Sequence, residues 1–591
     1  MPCNEEQQAI LNDLLDNQAP FTLIQGKAGT GKSYLINEMV HALPGTVILV
    51  PTNMAKSVYK NANTIHSFFY GEFDDIDDGY NDPSKYSINR NSFHGYFAEK
   101  LRSIRVIIID EISMVRSDTF EMMNVICRET LNSDKPFGGI KVIMSGDLFQ
   151  LPPIVSDDDT ERYLKDEYGG IYFFNSHVIQ NNIDSLKHYE LKKSCRHEKD
   201  PEYDRILDGL RRGCSVETAV SLLDKLNARV VPVDEIPANT IAIASSNAEV
   251  LRINHRELDK LPGEEFEEVA EFYIKSRKTS EYRQCTINDE ILDKDEYETI
   301  EVPSKYESKL IYKPGARIMF TETKKKEGYF NGGFGEIIAK KDKQIIARVE
   351  RTGAKVGIEP TAHYRYKMKY DDESHTLTKV TPYIQKTVQY PLKLAYAFTI
   401  HKSQGQTYNA VFLDLYSHIF APGQLYVALS RVRSLNGLYL TKPVSLSDII
   451  VDPVVISFVN RLSGRSYQQT EEITHIVADQ PEIMQLDRDV LFKKELAPFR
   501  FYIDQSLKLS NELFLHSYYK YAFLEIIKVL VMLEEYFDLA DNPAIGIIRN
   551  IENKMPDIGS TDCISAFENL SALCNSLNQA NEKVALGNIF H

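Results

Sequence analysis

The chain has 591 residues, of which 43% are hydrophobic and 26% charged, a soluble globular balance too long for one core. Its formal net charge of −16 excludes whole-surface attraction to polyanions and leaves only a local basic groove for nucleic acid. Seven scattered cysteines with no C-x-x-C pair argue against a zinc site and for reduced thiols. The opening Met-Pro-Cys-Asn-Glu-Glu-Gln does not read as a signal peptide, and the longest apolar stretch, around Ile526–Leu533, is too short for a bilayer. A cytoplasmic protein without membrane contact is therefore expected.

Asn4-Glu5-Glu6-Gln7 opens an amphipathic segment, Ala9–Leu15, with Asn4 as cap and Gln7 at the capping-box position. A Gln amide could also meet an adenine edge, but Gln7 alone favours the cap. An apolar run, Phe21–Ile24, then breaks at Gly26-Lys-Ala28-Gly29-Thr30-Gly31-Lys32-Ser33 before an amphipathic segment, Tyr34–Leu43. This strand, loop and helix carries the spacing G-x-x-x-x-G-K-S of a phosphate-binding loop. Gly26, Gly29 and Gly31 let backbone N–H groups converge on a polyphosphate, and the helix N-terminus beneath adds partial positive charge. Lys32 supplies a point charge to the β- and γ-phosphates, and the Ser33 hydroxyl suits a magnesium shell. The segment predicts ATP-type nucleotide binding.

Three further runs, Thr46–Val50, Ile104–Ile109 and Ile140–Ser145, are apolar on both faces, as a parallel sheet between helices requires. They end in Pro51-Thr52-Asn53, Asp110-Glu111 and Gly146–Gln150, so these residues are expected to line one crevice with Lys32. Asp110 falls where a magnesium-bound carboxylate is needed, and Glu111 can polarise an attacking water. Residues 71–97 are acidic and read as a surface loop or a small insertion. A basic cluster follows over 191–213, and Asn239–Ala244 begins a second α/β unit. Glu264–Glu301 reads as charge-rich periphery, and about 336–389 as a small inserted β-module. Near the end of the second unit, Arg431 emerges from the apolar segment Tyr426–Arg433 and needs an anionic partner, for which a γ-phosphate would serve. The expected organisation is a first domain over 1–235, a second over 236–460, a linker over 461–485 and a helical domain over 486–591.

Taken in order, these motifs resemble the Pif-type (petite integration frequency) DNA helicases of superfamily one, group B, and more distantly the RecD and Dda helicases. The resemblance rests on Gly26–Ser33, Thr64–Phe69, Val106–Met114, Lys135–Gly139, Gly146–Pro153, Arg196, Pro391–Thr407 and Gln424–Arg433. It implies two RecA-like P-loop domains in an α/β fold, with a pin or wedge at 71–97 and a small β-barrel near 336–389. Gln7 then resembles the adenine-reading glutamine, Gln150 the γ-phosphate sensor, and Arg196 and Arg431 a pair of arginine fingers. Ala28, Thr30 and Gly405 join the ATP-binding set by the same likeness. Pro51, Thr52, Asn53 and His66 on one domain, and Thr399, His401, Lys402 and Ser403 on the other, resemble strand-contacting residues. The implied activity is ATP-driven 5′ to 3′ translocation on single-stranded and forked DNA with magnesium, by a monomer whose C-terminal helical region could meet a protein partner. A non-translocating ATP switch that remodels a partner is the alternative, and the Thr399–Ser403 motif argues against it.

Overall fold

The computed structural model describes residues 3–56, 58–69, 96–155, 158–194, 196, 200–237, 240–275, 282–285, 306–324, 326–371, 376–414, 419, 421–463 and 510. The acidic segment expected as a pin at 71–97 lies outside these residues except at its last two positions. The linker expected at 461–485 lies outside them beyond residue 463, and the helical region at 486–591 does so except for residue 510. The chain forms two compact units, one of residues 1–148, 152–196 and 246–406, the other of 149–151, 197–245 and the described residues from 407.

The first unit is built on a six-stranded sheet. Its strands are β1 (Phe21–Gly26), β2 (Thr46–Val50), β3 (Ala62–Thr64), β4 (Val106–Ile109), β5 (Lys141–Gly146) and β6 (Lys187–Leu191), in the order β3-β2-β4-β5-β1-β6. Every pairing is parallel. All residues of β1 and β4 are buried, as expected for strands covered on both faces. On one face, helices α1 (Glu5–Asp16) and α2 (Lys32–Ala42) supply Ile10, Leu14, Leu35, Ile36 and Met39 to the core. The helix Ser117–Leu131 supplies Phe120, which packs with Phe21 and Phe137 in an edge-to-face aromatic cluster. The segment Lys135–Gly139 thus serves the core, because Phe137, buried and held by a 2.9 Å bond from its N–H to Asn124, plugs this cluster.

The same unit carries antiparallel sheets. Strands β12 (Arg317–Phe320), β13 (Phe334–Lys341), β14 (Gln344–Val349), β15 (Lys355–Ile358) and β18 (Leu392–Leu394) form a five-stranded sheet in the order β15-β14-β13-β12-β18. Its core holds Ile318, Phe320, Ile337, Ile345, Ala347 and Leu392. β8 (Phe266–Val269) pairs with β11 (Lys309–Tyr312). β9 (Glu271–Lys275), β10 (Tyr282–Cys285), β16 (Thr361–Asp371) and β17 (Thr376–Gln389) form a further sheet. Strands therefore extend through a stretch that reads as charged periphery in the sequence. A short strand such as Phe-Glu-Glu-Val offers alternating faces and no long apolar run.

In the second unit, β7 (Ile241–Ala244), β20 (Val411–Asp414) and β21 (Leu438–Leu440) pair in parallel. Helices Pro201–Arg212, Val216–Asn227, Gln424–Leu429 and Pro453–Ser463 accompany them. Parallel sheets accompanied by helices give the α/β class expected from the sequence. No helix among the described residues is long and apolar enough to cross a membrane.

Candidate nucleotide site

The glycine-rich turn leaves the carboxyl end of β1, and α2 begins at Lys32, so the strand aims the loop and the helix N-terminus backs it. Lys32 Nζ donates to the carbonyls of Gly26 at 2.6 Å and Lys27 at 3.1 Å, folding its charge back into the loop. Gly29 has φ +84°, and a Cβ there would lie 2.4 Å from Cβ of Arg196, so only glycine fits. The backbone N–H of Arg196 donates to the Gly29 carbonyl at 3.2 Å, which ties this arginine to the loop. Gln7 fulfils the capping box with Asn4 and also donates from Nε2 to the carbonyls of Thr30 at 3.3 Å and Gly31 at 3.4 Å. Its amide is thus engaged by both the cap and the loop.

β4 ends at Ile109 beside β2 and β5, and places Asp110 and Glu111 at the carboxyl edge of the sheet. Asp110 is 5% exposed, and the hydroxyl of Tyr59 donates to its Oδ2. The Ser33 side chain bonds the same phenol, so Ser33, Tyr59 and Asp110 form one chain of hydroxyls and carboxylate. Burial first, and then the charge of Asp110, push the Tyr59 phenol up, which keeps its proton in place as a donor. Ser33 and Asp110 are hard oxygen donors that suit magnesium. Among the described residues no group of three His, Cys, Asp or Glu gathers.

Glu111 adopts a left-handed conformation, φ 54° and ψ 44°, which costs a non-glycine residue strain. Gln404 Nε2 donates to its Oε2 at 3.3 Å, and Gly405 lies alongside, the position of an added Cβ being 3.8 Å from Oε1. Gln404 follows directly on the helix Ile400–Ser403, whose cap is the Thr399 hydroxyl, accepting from the Lys402 N–H at 3.4 Å. Ser403 is buried and donates to the Ile400 carbonyl, while His401 and Lys402 are half-buried. Burial above all, with Lys393 nearby and Glu307 opposing, pushes Lys402 down to about 8. Pro51 and Thr52 close β2, and the Thr52 hydroxyl caps α3 (Asn53–Lys56) by accepting from the Ala55 N–H at 3.1 Å. His66 sits half-buried on α4 (Ile65–Phe69).

Two expected residues belong to the second unit. Gln150 is buried at 6% exposure, and its carbonyl and that of Phe149 crowd Gly423, whose φ of +70° and near contacts of 2.8 and 2.4 Å admit no side chain. Arg431 is 2% exposed and donates from Nε to the Val427 carbonyl at 2.9 Å and from Nη2 to the Ser430 hydroxyl at 2.7 Å. Tyr59 and Gln404 are the two residues at the site that sequence reasoning does not single out. Tyr59 lies in a polar stretch without pattern, whereas Gln404 adjoins a legible motif.

A glycine loop on a parallel sheet, with a lysine, a hydroxyl and an Asp-Glu pair at the same edge, defines a P-loop nucleoside triphosphatase. The family description "PIF1-like helicase" matches residues 3–200. The ATP-dependent DNA helicase Pif1 of Bdellovibrio bacteriovorus is 30% identical over 474 residues, covering 78% of this chain and 94% of the relative. Its namesake in Campylobacter jejuni is 29% identical over 470 residues, covering 76% and 96%. A solved Pif1 helicase from Bacteroides, in complex with ADP-AlF3 and ssDNA, superposes with a TM-score of 0.60 at 29% identity, over 78% of this chain and 98% of that one. The chain belongs to the PIF1-like helicase family.

Proposed function

We propose that this chain is an ATP-dependent DNA helicase that moves 5′ to 3′ along single-stranded DNA and opens forked duplex. The observation that carries the proposal is the bond from Gln404 to Glu111. It joins the carboxylate suited to activating water with the residue that directly follows the expected strand-contacting motif, Thr399–Ser403. A strand gripped at that motif has a one-residue route to the group that sets turnover.

In this reading Lys32 exchanges the loop carbonyls for the β- and γ-phosphates, a gain because a charge-assisted bond replaces a neutral acceptor. Ser33 and Asp110 would hold magnesium, which supplies charge neutralisation on the phosphate oxygens when bound. Glu111 orients the attacking water. Gln150 senses the γ-phosphate, and Arg196 and Arg431 stabilise the charge that develops on it. Arg431 would have to leave the Val427 carbonyl and Ser430 hydroxyl to do so. Gln7 would likewise have to release the loop carbonyls to read adenine, with Ala28, Thr30 and Gly405 lining the pocket. Pro51, Thr52, Asn53 and His66, and Thr399, His401, Lys402 and Ser403, hold the strand through phosphate contacts and stacking. The chain contains no Trp, so stacking falls to Tyr, Phe or His. We also read the protein as a cytoplasmic monomer, with the domain limits near 235 and 460.

Strand displacement on forks with a single tail tests the direction. Opening is expected when the tail is 5′, and opening from a 3′ tail alone would overturn the directional reading.

A further inference from the structure

Tyr59 has no place in the reading of the sequence, yet its hydroxyl sits where the chemistry of the nucleotide site is decided. The residue is 7% exposed and its ring belongs to the core beneath the sheet, with Val50, Ala55, Ala62 and Ile108 in the same cluster. The turn after α3 sets its height: Val58 N–H donates to the Ala55 carbonyl at 3.2 Å and Tyr59 N–H to the Lys56 carbonyl at 3.1 Å. The ring therefore has little freedom, and its oxygen stands at a fixed point between Ser33 and Asp110.

A serine that ligates a cation must point a lone pair at the ion and send its proton elsewhere. An aspartate that ligates through one oxygen leaves the other in need of a donor, since a buried unpartnered carboxylate oxygen is costly. A phenol meets both needs at once. Its oxygen accepts from Ser33, and its proton goes to Asp110 Oδ2, leaving Oδ1 for the ion.

We propose that Tyr59 is a positioning residue that orients Ser33 and Asp110 together for the divalent cation of the bound nucleotide. The proposal rests on the reading of Ser33 and Asp110 as the metal's donors. Tyr59 touches neither nucleotide nor ion. It acts by fixing the rotamers of the groups that do.

The test is the dependence of nucleotide affinity on magnesium, read by equilibrium titration of a fluorescent ADP at a series of Mg²⁺ concentrations and in EDTA. Tyr59→Phe keeps the ring and removes only the shared hydroxyl, and thermal unfolding verifies that the variant is folded. The Mg²⁺ concentration at half effect is expected to rise about tenfold or more, the usual cost of losing such a support, while affinity in EDTA stays as in the wild type. An unchanged Mg²⁺ midpoint, or an equal loss of affinity with and without Mg²⁺, overturns the proposal. Ser33→Ala separates the two layers. If it leaves the midpoint unmoved, the metal reading fails and takes the role of Tyr59 with it. If it moves the midpoint and Tyr59→Phe does not, only the role of Tyr59 fails. Should the Phe variant prove unstable, 3-fluorotyrosine at position 59 keeps the shape and weakens the oxygen as an acceptor. The midpoint is then expected to rise, and no rise overturns the proposal.

Discussion

Two lysines stand in nearly the same local sequence, Gly31-Lys32-Ser33 and His401-Lys402-Ser403, and the fold treats them differently. Lys32, the first residue of an 11-residue helix, is held by two loop carbonyls that already accept its charge. Lys402 lies on a four-residue helix near a second lysine and the 7%-exposed Glu307, whose Oε2 has no hydrogen-bond partner among the described residues. Burial raises Glu307 and lowers both Lys393 and Lys402. The first lysine is prepared for a polyphosphate that must always bind. The second carries a charge whose solvation is incomplete, and in the proposed function a strand phosphate would complete it. The contrast suits a motor, in which nucleotide affinity is constant equipment and strand affinity must be able to change.

The largest effect expected on this contrast comes from Glu111→Gln, which leaves the loop and Lys32 intact. Turnover should fall about 10²–10⁴-fold while nucleotide still binds, as measured by ATPase assay beside nucleotide titration. Near-normal turnover would remove Glu111 from the chemistry. Lys32→Ala should instead weaken nucleotide binding itself.

The arginines come next. Arg196→Ala and Arg431→Ala should each lower turnover at saturating ATP by roughly 10³-fold. They should differ in stability. Arg431 satisfies a carbonyl and a hydroxyl in the buried interior of its unit, so its loss should cost about 1–3 kcal/mol in denaturant unfolding. The described backbone contact of Arg196 survives truncation of its side chain. Equal destabilisation by the two would contradict the assignment of their surroundings.

A smaller effect belongs to Gly29→Ala, which forces φ +84° on a residue with a Cβ and pushes against Arg196. The left-handed conformation alone costs about 1–2 kcal/mol, to be read as weakened nucleotide affinity. Wild-type affinity would mean that the loop opens away from Arg196.

The smallest effect is also the most specific. Lys402 is lowered to about 8, so it is charged below that pH and neutral above it. A base lowered in the folded chain is protonated more readily when unfolded, so its burial costs stability below about 8, and the cost fades as pH rises towards the unfolded value. Its phosphate contact should weaken over the same rise, reducing the salt slope of single-strand binding by about one. Lys402→Arg, charged throughout, should remove that pH dependence. A slope unchanged by pH in the wild type would contradict the placement of Lys402.

What the sequence makes legible follows from distance along the chain. Gly26–Ser33 is readable because strand, loop and helix are contiguous, and Asp110-Glu111 because four buried β-type residues precede it. The α/β class follows from such runs. Tyr59 and Asp110 meet across 51 positions, and Gln404 and Glu111 across 293, with no local pattern to announce either pair. Gln7 shows the other limit, since one amide serves a cap visible in the sequence and a loop contact that is not. The apolar context of Arg431 calls for an anionic partner, and the hydrogen bonds seen from its Nε and Nη2 within its own unit go to a neutral carbonyl and a hydroxyl. The strands between Phe266 and Tyr312 escape because their half-exposed faces carry Glu and Lys.

The central claim is that strand binding near Thr399–Ser403 governs turnover at Glu111. The most direct measurement is the ATP turnover of the full chain with and without single-stranded DNA, at a DNA concentration shown by anisotropy to saturate binding. The account predicts turnover that rises many-fold when DNA is bound. Equal rates with DNA bound and absent would contradict it.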